Sequence, residues 1–279
     1  MFLNGSEVYQ RALEPDNQRM FGLFHFVNAT GARVRNIHYR GNWPQVLPPV
    51  AEQELATSPA SRAAFGKTDL PHEITWNAKT AAAQSLIQIV GDSKLVTSTP
   101  AGLKINLAVG QEKPGSVGLK LKTAIAGDFE IVGVFSGLKL ACPEQEPSER
   151  QPRLELSLYQ AGAHPSWLKL ERKTNLGLQP VVAAVHREEY ATDRLLWHKP
   201  EFVFGAEAQR LKIARKGSVA YFLIAPHDSD DYRLLEQRDV GINPIEAIEF
   251  STSAFAPEQG VEATLEELTI RTPQALTAK

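Results

Sequence analysis

The clearest pattern in the chain is an alternation of apolar and polar residues, in short runs, between about residues 101 and 272. In residues 102–107 the alternation places Leu103, Ile105 and Leu107 on one face, which is typical of a strand buried on one side. Glycine, proline or aspartate follows many of the runs, so turns are expected between strands. The same period recurs in residues 117–121, 153–159 and 167–171.

The runs at residues 153–159 and 167–171 also predict which side chains face away from the core. Their leucines share one face and are expected to point inward, at positions 154, 156, 158, 168 and 170. The intervening side chains therefore face outward, among them Glu155, Ser157 and Tyr159.

Residues 129–135 are mostly apolar on both faces, which indicates a central strand covered on each side. Gly133 in its middle marks a bulge or a close approach of backbone. Residues 211–224 predict a hairpin with its turn at Lys216-Gly217-Ser218, and residues 263–271 predict the last strand. Short strands at this spacing favour a mainly β fold: an antiparallel jelly-roll β-sandwich over residues 93–273, with a tail at 274–279.

Residues 46–92 have a different composition, rich in alanine, glutamine and glutamate and interrupted by prolines. Two short helices are predicted there, Pro49 to Phe65 and Ala78 to Val90, because Leu86, Ile87 and Val90 lie at helical spacing. We therefore expect a helical connecting segment, with Trp76 anchoring it on the sandwich.

Residues 1–45 contain a segment whose sequence pattern is similar to that of the end of the chain. Residues 32–40 align without a gap on residues 263–271, apolar position on apolar position, and such self-similarity is typical of repeated domains. We expect an N-terminal β-hairpin, with strands within residues 5–40 and with Phe24 and Ile37 buried, as the remnant of a preceding jelly roll. Two strands cannot bury a core alone, so the hairpin is expected to pack on the sandwich or to contact a protein partner or a second copy.

Three segments carry a resemblance to a known superfamily: residues 127–131 (GDFEI), 211–217 (LKIARKG) and 265–271 (LEELTIR). Together they resemble the concanavalin A-like lectin/glucanase (LamG-like) superfamily. Residues 34–44 (VRNIHYRGNWP), followed by 53–56 (QELA), are similar to a segment between two jelly rolls in an uncharacterised family of large planctomycete multi-domain proteins. The resemblance covers residues 20–60 and 93–273 and implies the jelly-roll fold, but no established activity.

Composition narrows the function classes further. The chain has 279 residues, 43% of them hydrophobic, and a net charge of −2, so no overall attraction to nucleic acid is expected. No apolar stretch is long enough to predict a membrane span, and the first residues do not read as a signal peptide, so localisation stays open. Cys142 is the only cysteine, which excludes an internal disulfide and a thiolate zinc site within one chain.

Catalytic residues are not predicted. Glycosidases on this scaffold place carboxylates at i, i+2 and i+4 of one strand, but here the acidic pairs at that spacing fall in a predicted helix, a loop and a turn. These pairs are Glu52/Glu54, Glu144/Glu146 and Asp228/Asp230. We therefore expect no enzyme activity, and no carboxylate pair about 5–9 Å apart in a groove on the sandwich face.

Asp228, Asp230 and Asp231 offer three carboxylates in one short stretch, as a candidate calcium site. A solvated turn explains the same residues, because aspartate and serine favour turns and no glycine stands at a ligand-loop position. No other metal or cofactor is expected.

Tyr159, Trp167 and Arg172 are candidate sugar-binding residues, since aromatic rings beside polar groups on a curved sheet stack and orient sugars. Three functions compete. The first is a non-catalytic structural or protein-interaction domain that uses the N-terminal hairpin. The alternative is a glycan-binding module on the sandwich face, and the third is an unrecognised glycoside hydrolase, which the missing carboxylate pattern disfavours.

Overall fold

Strands make up nearly all of the regular structure in the computed structural model of this chain. The structure describes residues 2–3, 6–7, 69–77, 87–111, 115–143, 151–162, 166–174, 179–189, 195–203 and 208–276. The chain divides into two units, residues 1–48 and 49–279. In the first unit, β1 (Phe2–Leu3) pairs antiparallel with β2 (Ser6–Glu7).

Two antiparallel sheets form the second unit. The strands in chain order are β3 (His72–Asn77), β4 (Ile87–Val90), β5 (Val96–Thr99), β6 (Gly102–Leu107), β7 (Ser116–Ile125), β8 (Phe129–Ala141), β9 (Arg153–Gln160), β10 (Ser166–Thr174), β11 (Pro180–Glu189), β12 (Leu195–His198), β13 (Glu201–Val203), β14 (Ala208–Lys216), β15 (Val219–Pro226), β16 (Arg233–Asp239), β17 (Ile245–Ser253) and β18 (Gly260–Thr272). A 3₁₀ turn, Ser93–Leu95, precedes β5.

One sheet, called here the β9 sheet, has the strand order β12-β11-β10-β9-β17-β7-β4, with β13 paired to β11. The other, called the β8 sheet, has the order β16-β15-β14-β8-β18-β6-β5, with β3 paired to β18. Neighbours in space are distant in sequence, as β17 between β9 and β7 shows. The fold is therefore a mainly β sandwich of two antiparallel sheets, as the sequence predicts.

The core lies between the sheets and is built from the predicted inward positions. The leucines at 154, 156, 158, 168 and 170 are all fully buried. Leu103, Ile105 and Leu107 are at most 3% exposed. These predictions are confirmed. The hairpin of β14 and β15 turns at Gly217-Ser218 as predicted, and Gly217 adopts a φ of +58° there.

Gly133 marks a close approach across the core. It lies on β8, the central strand, and a Cβ atom at this position would stand 2.9 Å from two ring atoms of Phe250 on β17. Phe250 is fully buried, so its ring fills the space that the glycine leaves. The contact joins the two sheets through a side chain, whereas the sequence predicts a bulge or a close approach of backbone at this glycine.

The predicted helical connector needs correction. Ile87–Val90 was expected to end a helix, but it forms β4 and pairs with β7. Two isoleucines and a valine in four residues favour an extended strand, and a short apolar run does not distinguish the two periods. Trp76 is buried against the core, but from β3, which extends the β8 sheet beside β18.

Other predictions fall on residues that the structure does not describe. They include the helix at 49–65 and nearly all of the N-terminal hairpin, with Phe24 and Ile37. Within the described ranges, no helix combines the length and apolar character that crossing a bilayer requires.

We expect Gly133→Ala to destabilise the protein by about 1–3 kcal/mol, because the added methyl group must displace the Phe250 ring inside a packed core. Urea unfolding measures the change. Gly115→Ala is the matched control, since nothing lies within 4 Å of a Cβ there, and we expect a change within about 0.5 kcal/mol. Combining Gly133→Ala with Phe250→Leu should cost less than the sum of the two single changes. Additive costs would contradict a direct contact.

Candidate functional site

A band of aromatic and charged side chains crosses the outer face of the β9 sheet, the face turned away from the core. The strand register sets Trp167 of β10 opposite both Tyr159 of β9 and Arg187 of β11. On the other side of β9, Glu249 of β17 pairs with Lys120 of β7. We call this band the Trp167 face, made of Lys120, Glu155, Tyr159, Trp167, Lys169, Arg187 and Glu249.

The two aromatic rings are direct neighbours. The ring centroids of Tyr159 and Trp167 are 6.3 Å apart, and the ring planes meet at 57°. This tilted geometry is favourable for aromatic pairs. Both residues are only partly buried, so the pair reaches the surface.

Three cations surround these rings. The guanidinium carbon of Arg187 lies 4.2 Å from the centroid of the Trp167 ring, and the Nζ atom of Lys169 lies 6.0 Å from it. The Nζ atom of Lys120 lies 5.5 Å from the centroid of the Tyr159 ring. These distances fall within the range of cation–π attraction.

Glu249 holds the tyrosine and the lysine together. The Tyr159 hydroxyl donates a hydrogen bond to Oε2 of Glu249 at 3.0 Å, and Lys120 forms an ion pair with Oε1. Burial raises the pKa of Tyr159, and the charge of Glu249 raises it further. The phenol therefore stays neutral and keeps donating to Glu249 at ordinary pH.

The polar layer continues into a buried ion network towards the ends of β9 and β10. The Nζ atom of Lys169 forms an ion pair with Oε2 of Glu155 at 3.2 Å. Glu171 forms two ion pairs, one with Nη1 of Arg153 at 2.9 Å and one with Nζ of Lys199 at 3.0 Å. Burial by itself raises the pKa of Glu171, but the charges of Arg153 and Lys199 outweigh it and lower the pKa below its ordinary value. Glu171 is therefore ionised at neutral pH.

This network brings together carboxylates that the sequence search did not consider. Glu155 and Glu171 are direct partners across β9 and β10, and side chains so placed have Cβ atoms about 5 Å apart. The expectation that no carboxylate pair about 5–9 Å apart lies in a groove on the sandwich face rested on pairs within one strand alone. The exact register between β9 and β10, which the sequence leaves open, was the missing signal.

Of the three predicted sugar-binding residues, the structure brings only Tyr159 and Trp167 together. Arg172 lies on the opposite, core-facing side of β10, opposite Leu154, and is 4% exposed. It lines a separate cavity of about 370 Å³ beside Phe135 and Leu140. Arg172 is an odd number of residues from Trp167, so strand alternation puts it on the other face.

The three calcium candidates do not converge. Asp228 contacts Nδ1 of His227 at 2.6 Å, while Asp230 forms an ion pair with Arg210 at 3.0 Å. The Asp231 backbone N–H donates a hydrogen bond to the hydroxyl of Ser229. Such a bond is typical of the solvated turn that the sequence offers as the alternative to a calcium site. Within the residues described, no three histidine, cysteine or acidic side chains are grouped so as to hold a metal ion.

His227 instead joins its turn to the β8 sheet. Its Nε2 atom lies 2.7 Å from Oε2 of Glu266, and the hydrogen bonds to Glu266 and then Asp228 raise the pKa of His227. Glu266 stands at a bulge of β18, which turns its side chain towards the histidine. These residues border an open cleft of about 540 Å³ that Arg210 and Asn77 also line.

Comparison with known proteins supports the fold. A family model described as "Protein of unknown function (DUF1583) C domain" matches residues 50–277, and one described as "Domain of unknown function (DUF1583_N)" matches residues 1–46. No curated protein sequence matches the chain. The finer resemblance to a planctomycete family stays a prediction.

Several solved structures share the architecture. One, described under "Prominent members of the human gut microbiota express endo-acting O-glycanases to initiate mucin breakdown", has a TM-score of 0.54 and 8% identity, covering 72% of this chain and 99% of that one. The κ-carrageenase of Pseudoalteromonas carrageenovora, in complex with an oligotetrasaccharide of κ-carrageenan, has a TM-score of 0.50 and 6% identity, covering 72% and 95%. The lumenal domain of VIP36, bound to Ca²⁺ and Man3GlcNAc, has a TM-score of 0.44 and 7% identity, covering 69% and 86%. At these identities, the likeness to the first two structures shows the concanavalin A-like fold alone.

We expect Glu171→Gln to lower the free energy of unfolding by about 3–5 kcal/mol at neutral pH, because it leaves Arg153 and Lys199 without their shared carboxylate. The folded-state pKa of Glu171 lies below its unfolded value, so its contribution is present above the unfolded pKa and is lost as the pH falls through the folded one. The difference between variant and parent should therefore shrink progressively as the pH falls below the unfolded pKa of a glutamate, about 4.3. Thermal and urea unfolding over a series of falling pH values test this.

Glu262→Gln is the control. Glu262 also binds two lysines, Lys104 at 3.1 Å and Lys139 at 3.4 Å, but the pairs are exposed. We expect its loss to change Tm far less than the loss of Glu171 does. Equal effects of the two substitutions would contradict a special role of burial.

Proposed function

The chain belongs to the family described as "Protein of unknown function (DUF1583) C domain", and we propose that it binds glycans, without cleaving them, through the Trp167 face. The observation that supports this most is the Tyr159–Trp167 pair, two adjacent aromatic rings that reach the surface of a sheet and are surrounded by fixed polar groups. Sugars present apolar C–H faces that stack on aromatic rings and hydroxyl groups that need polar partners.

The polar partners stand where a stacked sugar would need them. Glu249 offers carboxylate acceptors beside the Tyr159 ring, and the ammonium group of Lys120 offers donors at the same place. The Lys120 side chain is 25% exposed and that of Glu249 is 14% exposed, so both are anchored and still accessible. A rigid set of donors and acceptors lowers the entropy cost of binding.

Glycan recognition also fits the fold by analogy. The κ-carrageenase structure holds an oligotetrasaccharide of κ-carrageenan. That protein shares only 6% identity with this chain, so the analogy raises the expectation of a glycan ligand without identifying it.

The ion network argues against hydrolysis. Glycoside cleavage needs one carboxyl group that stays protonated near neutral pH beside a second that is ionised. The pKa of Glu171 is lowered rather than raised, and Glu155 is in an ion pair with Lys169. Carboxylates held by cations in this way stabilise the sheet but do not supply a general acid.

Protein interaction through residues 1–45 stays a prediction. Its basis was the N-terminal hairpin, which lies almost entirely outside the described residues. The side chains of the Trp167 face, by contrast, all belong to described residues.

We expect Trp167→Ala to weaken glycan binding about tenfold or more, because it removes the larger ring of the platform. Screening the intact chain on a glycan array identifies a ligand, and calorimetry compares the variants. Tyr221→Ala is the control, as Tyr221 is a half-buried tyrosine on the outer face of the β8 sheet. It should keep full affinity. Equal loss in both variants, or unchanged binding in Trp167→Ala, would contradict the assignment.

We further expect the intact chain to release no reducing ends from β-glucans, xylans or any glycan that it binds. Product analysis by reducing-sugar assay and chromatography checks this after long incubation. Turnover that is abolished by Glu155→Gln or Glu171→Gln, in a variant that still folds, would overturn the non-catalytic proposal.

A further inference from the structure

The imidazole ring of His227 lies between two carboxylates, one at each ring nitrogen. Nδ1 lies 2.6 Å from Oδ1 of Asp228, the next residue in the chain, and Nε2 lies 2.7 Å from Oε2 of Glu266 on β18. A carboxylate only accepts hydrogen bonds, so both ring nitrogens must carry a proton for both bonds to form. The geometry is therefore that of a positively charged imidazolium.

The bond between His227 and Glu266 connects two elements that are not neighbours in the β8 sheet. His227 begins the turn that follows β15, called here the His227 turn and made of residues 227–232, whereas Glu266 stands at the bulge of β18. The strands β14 and β8 lie between β15 and β18. The contact is therefore made by side chains across two intervening strands, outside the hydrogen-bond ladder of the sheet.

Arg210 of β14 holds the same turn by bonds that do not depend on a histidine. Its Nη1 atom donates to the backbone oxygen of His227 at 3.3 Å, and its Nη2 atom pairs with Asp230 at 3.0 Å. Its Nε atom donates to the hydroxyl of Tyr232 at 3.2 Å. An arginine keeps its charge throughout the neutral pH range. The turn thus has an anchor on β14 that is constant around neutral pH and one on β18 that depends on a proton.

We propose that His227 is a pH-dependent latch: while protonated it holds the His227 turn on Glu266 of β18, and loss of the proton releases the turn on that side. A neutral imidazole carries one N–H, so it donates to only one of the two carboxylates. The attraction between a positive ring and both carboxylates is lost in the same step. His227, Asp228 and Glu266 all line the open cleft of about 540 Å³, so the wall of the cleft changes when the latch opens.

The other charged groups around His227 come from β14, from β18 and from its own turn. Besides Asp228 and Glu266 they are Glu267 on β18, Arg210 on β14 and Asp230, which pairs with Arg210. Among the described residues of the cleft wall, the others carry no titratable group: Asn77, Pro100, Ala101 and Val134. Carboxylates therefore outnumber cations around the ring, which favours its charged form.

The direction of the pH dependence follows from the partners of His227. The hydrogen bonds to Glu266 and then to Asp228 raise the pKa of His227, and they outweigh the small opposite effect of burial. The pKa of a histidine in an unfolded chain is about 6.5. The folded-state pKa lies above this value, so the latch stabilises the turn fully below about pH 6.5 and is lost as the pH rises through the folded-state pKa.

An NMR titration of the histidine rings in the intact chain tests the protonation step. The signal of His227 is assigned by its absence in His227→Gln. We expect it to titrate above about pH 6.5 in the parent and at a lower pH in Glu266→Gln, which keeps an acceptor oxygen but removes the charge. His72→Gln is the control, because His72 is exposed and lies at the opposite end of β3 from Asn77 of the cleft. It should leave the titration of His227 unchanged.

Hydrogen exchange tests the release of the turn. The backbone N–H groups of Ser229, Asp231 and Tyr232 are bonded within the turn. After correction for the intrinsic pH dependence of exchange, we expect their protection to fall about threefold or more between about pH 5.5 and about pH 8 in the parent. In His227→Gln, which carries no charge at either pH, protection should be low and constant. The amides of the β14–β15 hairpin are the internal control and should not change.

Each part of the experiment can overturn the latch. Protection of the turn that stays constant while His227 titrates would contradict the release, and so would a pH dependence that persists in His227→Gln. A His227 titration that Glu266→Gln leaves unchanged would contradict the bond to β18. No glycan takes part in these measurements, so their outcome is independent of the role proposed for the Trp167 face.

Discussion

The interactions on which the outer face of the β9 sheet depends are its buried ion pairs. A strand alternates sides, so packing the leucines of β9 and β10 against the core sends every second residue to the outer face. On that face the Glu171 side chain is 4% exposed and that of Arg153 is 9% exposed. Buried charges are tolerated only when they are paired, and each carboxylate described in this network is bonded to a lysine or an arginine.

The alternation of sides along a strand also explains how far the sequence alone predicts the fold. Alternation assigned the inward leucines and the central strand correctly because burial on one or both faces leaves a period of two. It failed at Ile87–Val90, where four residues carry too little pattern to separate a strand from a helix. There, pairing with β7 decides the conformation, and pairing is a tertiary effect.

The candidate site was predictable only in part, for a related reason. Tyr159 and Trp167 stand on adjacent strands joined by a short connection, so the sequence could place them near each other. Arg172 was misplaced, although counting residues from Leu170 already assigns it to the core face. Lys120 and Glu249 are 129 residues apart in the chain and meet only because β17 inserts between β7 and β9. No periodicity within a strand contains that information.

Burial on the outer face also bears on how a ligand would bind there. Along this face the side chains pass from buried, at Arg153 and Glu171, to partly exposed, at Lys120 and Trp167. The buried end is fixed by paired charges, and the exposed end is connected to it through Glu155 and Lys169 on the same two strands. The exposed aromatic and cationic groups are therefore held in position before any ligand arrives, which is the condition for selective binding at low entropy cost. A sheet that must neutralise its own buried charges in this way has little freedom to leave a carboxyl group protonated, so under the proposed function the same network would favour recognition and disfavour acid catalysis.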